Sequence, residues 1–345
     1  MDIFSGLSPN QLSVAEYFGG IWNAGGNPAF NEVFNDLNLL TLAPNGREAY
    51  LGLLNELSPG ATIGFASRGM MQNQFYSNIV LNGPVYEGGI PELDEVPSSW
   101  ARIYGNRTEV EVDNGYSDFR DNQMLVTVGG QVEVSGDWFV GGSLAYQYDD
   151  LKSDNGTVRG TADTALAAVT LKRVWKDWTF SGALTGSAGW GETTRRITVL
   201  PGTGFAAEGS PSVQTLGAAL RAAYTHEMGI TYLRSDFTLS GVYVHADSYT
   251  ESGAGIFSLD VDSADQSTLV ATPGLEFGIR TELAEENVLR SYVRGNLNLL
   301  SDDGWEQNAR FGGAPVAAGD FTTTLPVDTL SGRLYAGVQL QFSEQ

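Results

Sequence analysis

The chain has 345 residues, 19 lysines and arginines against 41 acids for a formal net charge of −22, two histidines and no cysteine. With no basic stripe to neutralise phosphates, a nucleic-acid partner is excluded. The missing thiols exclude disulfides, thiolate metal sites, iron–sulfur clusters and cysteine nucleophiles. No apolar run reaches the roughly 18 residues of a membrane-spanning helix, yet only 17% of residues are charged, against about a quarter in soluble domains.

Residues 1–97 precede the strands, and 1–82 read as helical. Met1-Asp2 leads into a capped helix without the basic and apolar segments of a signal peptide. Ser8-Pro9-Asn10-Gln11 is a capping box with proline at the first helical position. Leu12, Ala15, Phe18 and Trp22 follow at helical spacing; Phe30, Val33, Phe34 and Leu37 form a second stripe, and Tyr50, Leu53, Leu54 and Leu57 a third. A fourth helix, about 62–81, mixes glycine, methionine and asparagine with one arginine. Pro84, Pro91 and Pro97 then punctuate a linker rich in glycine and glutamate.

From Ser98 the apolar period becomes two. Val126, Val128, Val132 and Val134 oppose Thr127, Gln131 and Glu133, and similar alternation recurs through ten segments to Leu334–Phe342. Only the segment around 162–175 carries Ala and Leu on both faces. Tight turns at Ser135-Gly136-Asp137, Lys176-Asp177, Glu227-Met228-Gly229 and 284–287 alternate with longer polar stretches near 109–120, 149–160, 192–212, 246–265 and 301–326, which read as loops. That alternation fits an antiparallel up-and-down meander with its tight turns at one end.

One face of each strand is apolar and aromatic, the other rich in arginine, glutamate, glutamine and threonine. The strands are long for a soluble sandwich, whose strands run about five or six residues. Trp138, Trp175 and Trp178 sit beside tight turns, where an interfacial aromatic girdle belongs, and Tyr224, Tyr232 and Tyr243 lie at other strand ends. The expected fold is therefore an all-β transmembrane barrel over 98–345, apolar side to lipid and polar side to a lumen. A soluble β-rich surface adhesin and a general outer-membrane porin or channel are the alternatives.

Several stretches together are similar to the C-terminal translocator domain of autotransporters, the type V secretion proteins of Gram-negative bacteria. They are Leu7-Ser8-Pro9-Asn10-Gln11, Ser99-Trp100-Ala101-Arg102-Ile103-Tyr104-Gly105, Gly129-Gly130-Gln131-Val132, Trp138-Phe139-Val140-Gly141-Gly142 and Phe311-Gly312-Gly313-Ala314-Pro315. The resemblance implies a barrel that inserts in the outer membrane and anchors and exports an N-terminal passenger. Its long loops would be extracellular, both barrel ends periplasmic, and the 62–81 helix within the lumen. The lumenal candidates are then Arg102, Glu133, Arg221, Arg234, Asp236, Glu276, Arg280, Glu282, Arg290, Arg294 and Arg333, pairing with one another and with that helix. The implied partners are outer-membrane lipid and lipopolysaccharide, the chain's own passenger, periplasmic chaperones and the outer-membrane assembly machinery, with a monomeric barrel.

The family barrel has twelve strands and ends on an aromatic residue, whereas ten strands are legible here and Phe342 is followed by three polar residues. Either one further hairpin belongs to the barrel, or ten strands close and Phe342 is a near-terminal assembly signal.

No enzyme chemistry is visible, and no cofactor or metal is expected. His226 and His245 lack a carboxylate at ligand spacing and read as interface residues. There is no G-x-S-x-G elbow, and Asp260-Val261-Asp262 lacks the glycine and glutamate that complete a calcium loop. Asn73 and Asn78 fall in the lumen helix, but the paired asparagines of self-cleaving relatives are absent.

Overall fold

A computed structural model describes residues 6–25, 28–42, 44–58, 60–83, 97–110, 119–200, 203–283 and 288–341. Phe342 and the 284–287 turn lie outside the described residues. Four helices come first: α1 (Pro9–Asn23), α2 (Pro28–Leu42), α3 (Gly46–Leu57) and α4 (Gly60–Asn82). Fifteen strands follow: β1 (Ser98–Val110), β2 (Phe119–Ser135), β3 (Trp138–Ser153), β4 (Val158–Trp175), β5 (Trp178–Leu200), β6 (Thr203–Gly209), β7 (Ser212–Met228), β8 (Thr231–Ala246), β9 (Tyr249–Thr250), β10 (Leu259–Val261), β11 (Ala264–Glu282), β12 (Val288–Leu300), β13 (Gly304–Phe311), β14 (Phe321–Pro326) and β15 (Leu330–Gln341).

Ten of them form one antiparallel sheet in the order β1-β2-β3-β4-β5-β7-β8-β11-β12-β15, with β6 paired to the far end of β5. Each strand pairs with its sequence neighbour in that path, the meander expected from alternating turns. At one end the β2–β3, β4–β5 and β7–β8 connections are two-residue turns. Gly136 (φ +38°) and Asp137 (φ +67°) are both left-handed, and Lys176 (φ +53°) and Gly229 (φ +72°) adopt the same region. Such geometry matches the twist of the flanking strands. No ladder joins β1 to β15 among the described residues, so the ten strands have two open edges rather than forming a closed ring.

At the other end the structure departs from the sequence expectation. The polar stretches near 149–160 and 192–212 are strand: β3 and β4 run on to a short turn, and β5 continues into a hairpin with β6. Residues 246–265 and 301–326 supply a second sheet in the order β14-β13-β10-β9. In these extensions polar residues such as Asp149, Asp150, Glu192 and Thr193 stand on both strand faces, so the alternation that identifies a strand weakens while the hydrogen-bonded ladder continues.

Helices α1–α3 pack on this second sheet and on the far end of β5. Val14, Tyr17, Phe18, Ile21, Phe30, Leu53, Leu54 and Leu57 share one core with Ile197, Ala207, Phe257, Leu259, Val261, Ala309, Phe311 and Phe321. The Ser8 capping box forms as the sequence indicates: Gln11 N–H donates to Ser8 Oγ, and Ser8 N–H to Gln11 Oε1.

Helix α4 lies against the other face of the ten-stranded sheet. Its side chains reach β1 (Phe75 to Tyr104), β2 (Arg68 to Asp121), β3 (Tyr76 to Ser143), β5 and β7 (Asn73 to Thr185 and Thr215). A small cavity beside Asn78 and Asn82 is also lined by Arg294 of β12 and Arg333 and Tyr335 of β15. A sheet that meets one helix with its first and its last strand is rolled around that helix. The contact also explains the two-sided apolar segment, since Leu166 and Ala168 pack on Tyr76, Ile79 and Val80.

Close approach of α4 depends on glycines at Gly69 in the helix and Gly217 in β7. A Cβ on Gly69 falls 2.9 Å from Val213 Cγ1, and one on Gly217 falls 2.9 Å from Asn73 Cγ and overlaps Asn73 Oδ1. Gly217→Val therefore pushes the helix off the wall, at about 1–3 kcal/mol for overpacking. The check is a lower unfolding midpoint together with faster proteolysis within residues 60–82.

Candidate functional site: the helix-filled interior

The two faces of the sheet differ in chemistry. The face away from α4 exposes Val128, Leu144, Val169, Leu184, Leu216, Leu220, Leu239, Leu269, Leu275, Val293 and Leu297. Trp138, Trp175 and Trp178 stand on this face at the tight-turn end, and Tyr146, Tyr148, Trp190 and Tyr243 edge the belt at the other. An exposed apolar surface this continuous is far larger than the patches of soluble monomers.

The face toward α4 carries the charges. On β8, β11 and β12, Arg290 and Glu276 form an ion pair with no solvent exposure. Tyr232 completes it: its hydroxyl donates to Glu276 Oε1 (2.5 Å) and accepts from Arg290 Nε (2.6 Å). Tyr232 thus points inward, in phase with Arg234 and Asp236, and is no interface aromatic as its strand-end position suggested. Arg294 donates to Asp236 Oδ1 (2.8 Å) and lies 3.8 Å from Glu276 Oε2. Arg221 is 4.0 Å from Asp236 and donates to Thr238 Oγ1 (2.8 Å), Asn78 Oδ1 (2.6 Å) and Asn82 Oδ1 (2.5 Å). Arg221 therefore ties the wall to the last turn of α4.

The other expected residues are more scattered. Arg234 is buried beside this set. Arg102 stacks on Trp100, with 4.6 Å from guanidinium to ring centroid, and lines the cavity shared with Arg221, Arg294 and Arg333. Arg280 pairs with Glu227 (2.6 Å), a partner the sequence did not offer, and lies over the Tyr232 ring. Glu133 and Glu282 do not join the ion-pair set among the described residues. Both are exposed at the tight-turn end, where water solvates them. Arg333 is exposed because β15 is an open edge.

Three polar groups emerge only from the fold. Arg68 of α4 pairs with Asp121 and lies 4.0 Å from Asp149. Lys172 donates to the Gly83 carbonyl (2.9 Å) where the helix ends. Outside the interior, Arg195 and Glu251 form an ion pair, each side chain 3% exposed. These partners are far apart in sequence, so only strand register reveals them. Register also brings Asp265 to His245, whose Nδ1 is 2.7 Å from Asp265 Oδ1, while Nε2 is 3.1 Å from Oδ1 of Asp247, two residues along the chain. The two carboxylates hold the imidazole pKa above its ordinary value, the Asp265 hydrogen bond contributing most. Among the described residues no cluster of three His, Cys, Asp or Glu side chains has metal-binding geometry.

Residues 99–345 match the Autotransporter beta-domain family. No curated protein sequence matches the chain significantly. Among solved structures the chain is similar to the translocator domain of autotransporter NalP from Neisseria meningitidis. Identity is 14%, coverage 82% of this chain and 98% of that one, and the TM-score 0.58. It is also similar to the beta domain of the Bordetella autotransporter BrkA (13% identity, 72% and 100% covered, TM-score 0.45). A third is the transport unit of AIDA-I from Escherichia coli (14%, 77% and 87%, TM-score 0.47). The NalP likeness is one of fold, and it agrees with a meander wrapped around an N-terminal helix. With its outward apolar belt, its inward charges and a family match across most of its length, the chain belongs to the autotransporter beta-domain family, outer-membrane barrels that export an N-terminal passenger.

Proposed function

We propose that residues 98–345 form the membrane wall and residues 1–97 the end of the exported chain, with α4 left in the lumen as plug and tether. The observation that carries this is the inversion of the sheet: apolar side chains out, ion pairs in, and a helix bonded to the inner face. Lipid accepts only satisfied backbone, so the open edges of β1 and β15 require further pairing in the membrane.

In this reading Trp138, Trp175 and Trp178 form the periplasmic girdle, and the tyrosines and tryptophan at the far end form the outer one. Arg102, Arg221, Arg234, Asp236, Arg280, Glu276, Arg290, Arg294 and Arg333 serve as the lumen wall, with Glu133 and Glu282 at its periplasmic mouth. The barrel acts as a monomer in lipid and lipopolysaccharide, delivered by periplasmic chaperones to the assembly machinery, which reads the C-terminal region around Phe342.

The barrel's work is mechanical rather than catalytic. Asn73 and Asn78 fasten α4 instead of cutting it: Asn73 donates to Thr215 Oγ1 (2.7 Å) and accepts from Thr185 Oγ1 (2.8 Å), while Asn78 accepts from Arg221.

Three results test the reading. In planar bilayers the intact protein conducts little and a form lacking residues 1–90 conducts steadily; steady conductance of the intact protein favours a porin. Leu144→Arg, at the middle of the outward belt, lowers stability in lipid by about 2–4 kcal/mol, read from the urea midpoint in vesicles, whereas a soluble β-protein tolerates this exposed change. Glu276→Gln leaves Arg290 buried without its counter-charge and costs about 3–5 kcal/mol, seen in the same measurement.

A further inference from the structure

The four-stranded sheet β14-β13-β10-β9 shares one core with helices α1–α3 around Phe311 and Phe321, a core that Ile197 and Ala207 of β5 and β6 also join, while its Trp305–Leu325 end packs on Met70 of α4 and on β8. Helices of 12 to 15 residues are marginal alone in water, and a sheet of such short strands needs packing on one face. The aromatic centre is continuous across the junction: Tyr17 lies 5.6 Å from Phe311 and 5.1 Å from Phe321 between ring centroids, and Phe18 lies 5.4 Å from Phe311.

The junction is also specified by polar contacts. Asn10 acts as a substitute strand at the free edge of β14: its Nδ2 donates to the Thr324 carbonyl (2.8 Å) and its Oδ1 accepts from Thr324 N–H (2.7 Å). One turn along α1, Ser13 Oγ accepts from Thr322 N–H (3.1 Å). Asn10 is itself buried. Its neighbour Gln11 donates to Asn55 Oδ1 of α3 (3.0 Å), holding two helices in register. At the far side, buried Arg195 of β5 pairs with Glu251 and donates to the Glu56 carbonyl at the C-terminus of α3 (2.6 Å), while Glu56 Oε2 accepts from Thr198 N–H (2.6 Å). A cation at a helix C-terminus satisfies an orphan carbonyl and the helix dipole together.

We propose that this loop sheet, with the far end of β5, is a docking surface for α1–α3 that holds them without the covalent link through α4, so that the N-terminal part of the chain stays bound to the barrel when the connection between α3 and α4 is cut. Because the two halves complete one core, the grip forms only after α1–α3 reach the loop side of the membrane. This adds a second, non-covalent anchor to the tether of the proposed function. It rests on that reading only for which side of the membrane the loops occupy.

The test uses the full chain with an N-terminal tag and a flexible protease site inserted between Ser58 and Gly60. The protein is purified in detergent, cut to completion on a denaturing gel, and captured by the tag under native conditions. The barrel fragment is expected to come down with the tag and to dissociate slowly. Phe311→Ala is expected to speed dissociation about 100-fold, and Asn10→Ala about tenfold through loss of two backbone hydrogen bonds. Glu16→Gln, on the exposed face of α1, leaves the rate unchanged. Heat-modifiable migration of each barrel fragment shows that the wall is still folded. Prompt separation of the cut parent protein overturns the proposal, as does a Phe311→Ala or Asn10→Ala protein that dissociates no faster than the parent. The same cut on intact cells separates the two readings. Retention in detergent combined with protection from external protease keeps the grip and refutes the assigned sidedness.

Discussion

Hydrocarbon offers a peptide group nothing to bond with, and this chain is arranged around that fact. Every strand in the main sheet of β1 to β15 gives its backbone polar groups to a sequence neighbour, and the ladder leaves the side chains with a strict parity. Parity then divides the chemistry. Outward positions carry Leu144, Leu184, Leu220 and Val293 because their alternative is lipid. Inward positions carry Arg221, Asp236, Glu276, Arg290 and Arg294 because they share a confined interior with α4. Burying those charges is costly unless each is bonded several times over. The network supplies part of this through hydroxyls as well as opposite charges, Tyr232 bridging Glu276 and Arg290 and Thr238 bonding Arg221, while Asp236 Oδ2 and Glu276 Oε2 are held by nearby guanidinium charge rather than by a hydrogen bond.

That division explains which parts of the fold were readable in advance. The outward belt and the tight turns at Gly136-Asp137 and Lys176-Asp177 are local features, written in alternation and in residues that tolerate positive φ. The identity of the inward face followed by elimination. Its pairings did not, since Arg290 meets Glu276 only through the registers of β11 and β12, and Arg280 chose Glu227 on β7 rather than the acids beside it. The strand over 162–175 looked ambiguous because its inner face meets apolar Tyr76, Ile79 and Val80 rather than water.

The outer structure was illegible for a different reason. Beyond the belt, Asp149 to Lys152 and Glu192 to Arg196 carry polar residues on both faces, so the hydropathy signal ends before the strands do. Strands β9, β10, β13 and β14 run two to eight residues, and their core is supplied from more than two hundred positions upstream by α1 and α3. Asn10 illustrates the limit. The sequence places it correctly inside a capped helix start, but its carboxamide serves the edge of β14, a partner 314 residues away.

Helices α1–α3 and helix α4 are held by different forces, and the difference follows from what surrounds them. Outside the membrane, water is the competing solvent, so burying Tyr17, Phe18 and Phe30 against Phe311 drives association. Inside the barrel the unfilled alternative is itself a polar, hydrated space. There α4 adds polar contacts to its apolar ones: Asn73, Ser77, Asn78 and Asn82 meet hydroxyls and a guanidinium, beside Met70, Tyr76, Ile79 and Val80 packed on apolar wall residues. Hydrogen bonds of that kind exchange with water at little net cost, so they fix the position of α4 along the wall more than they add to its grip. The apolar packing of α4 on the wall is not directional, whereas its amides and Ser77 find partners in one register alone, so the two kinds of contact together set both the hold and the position of the helix.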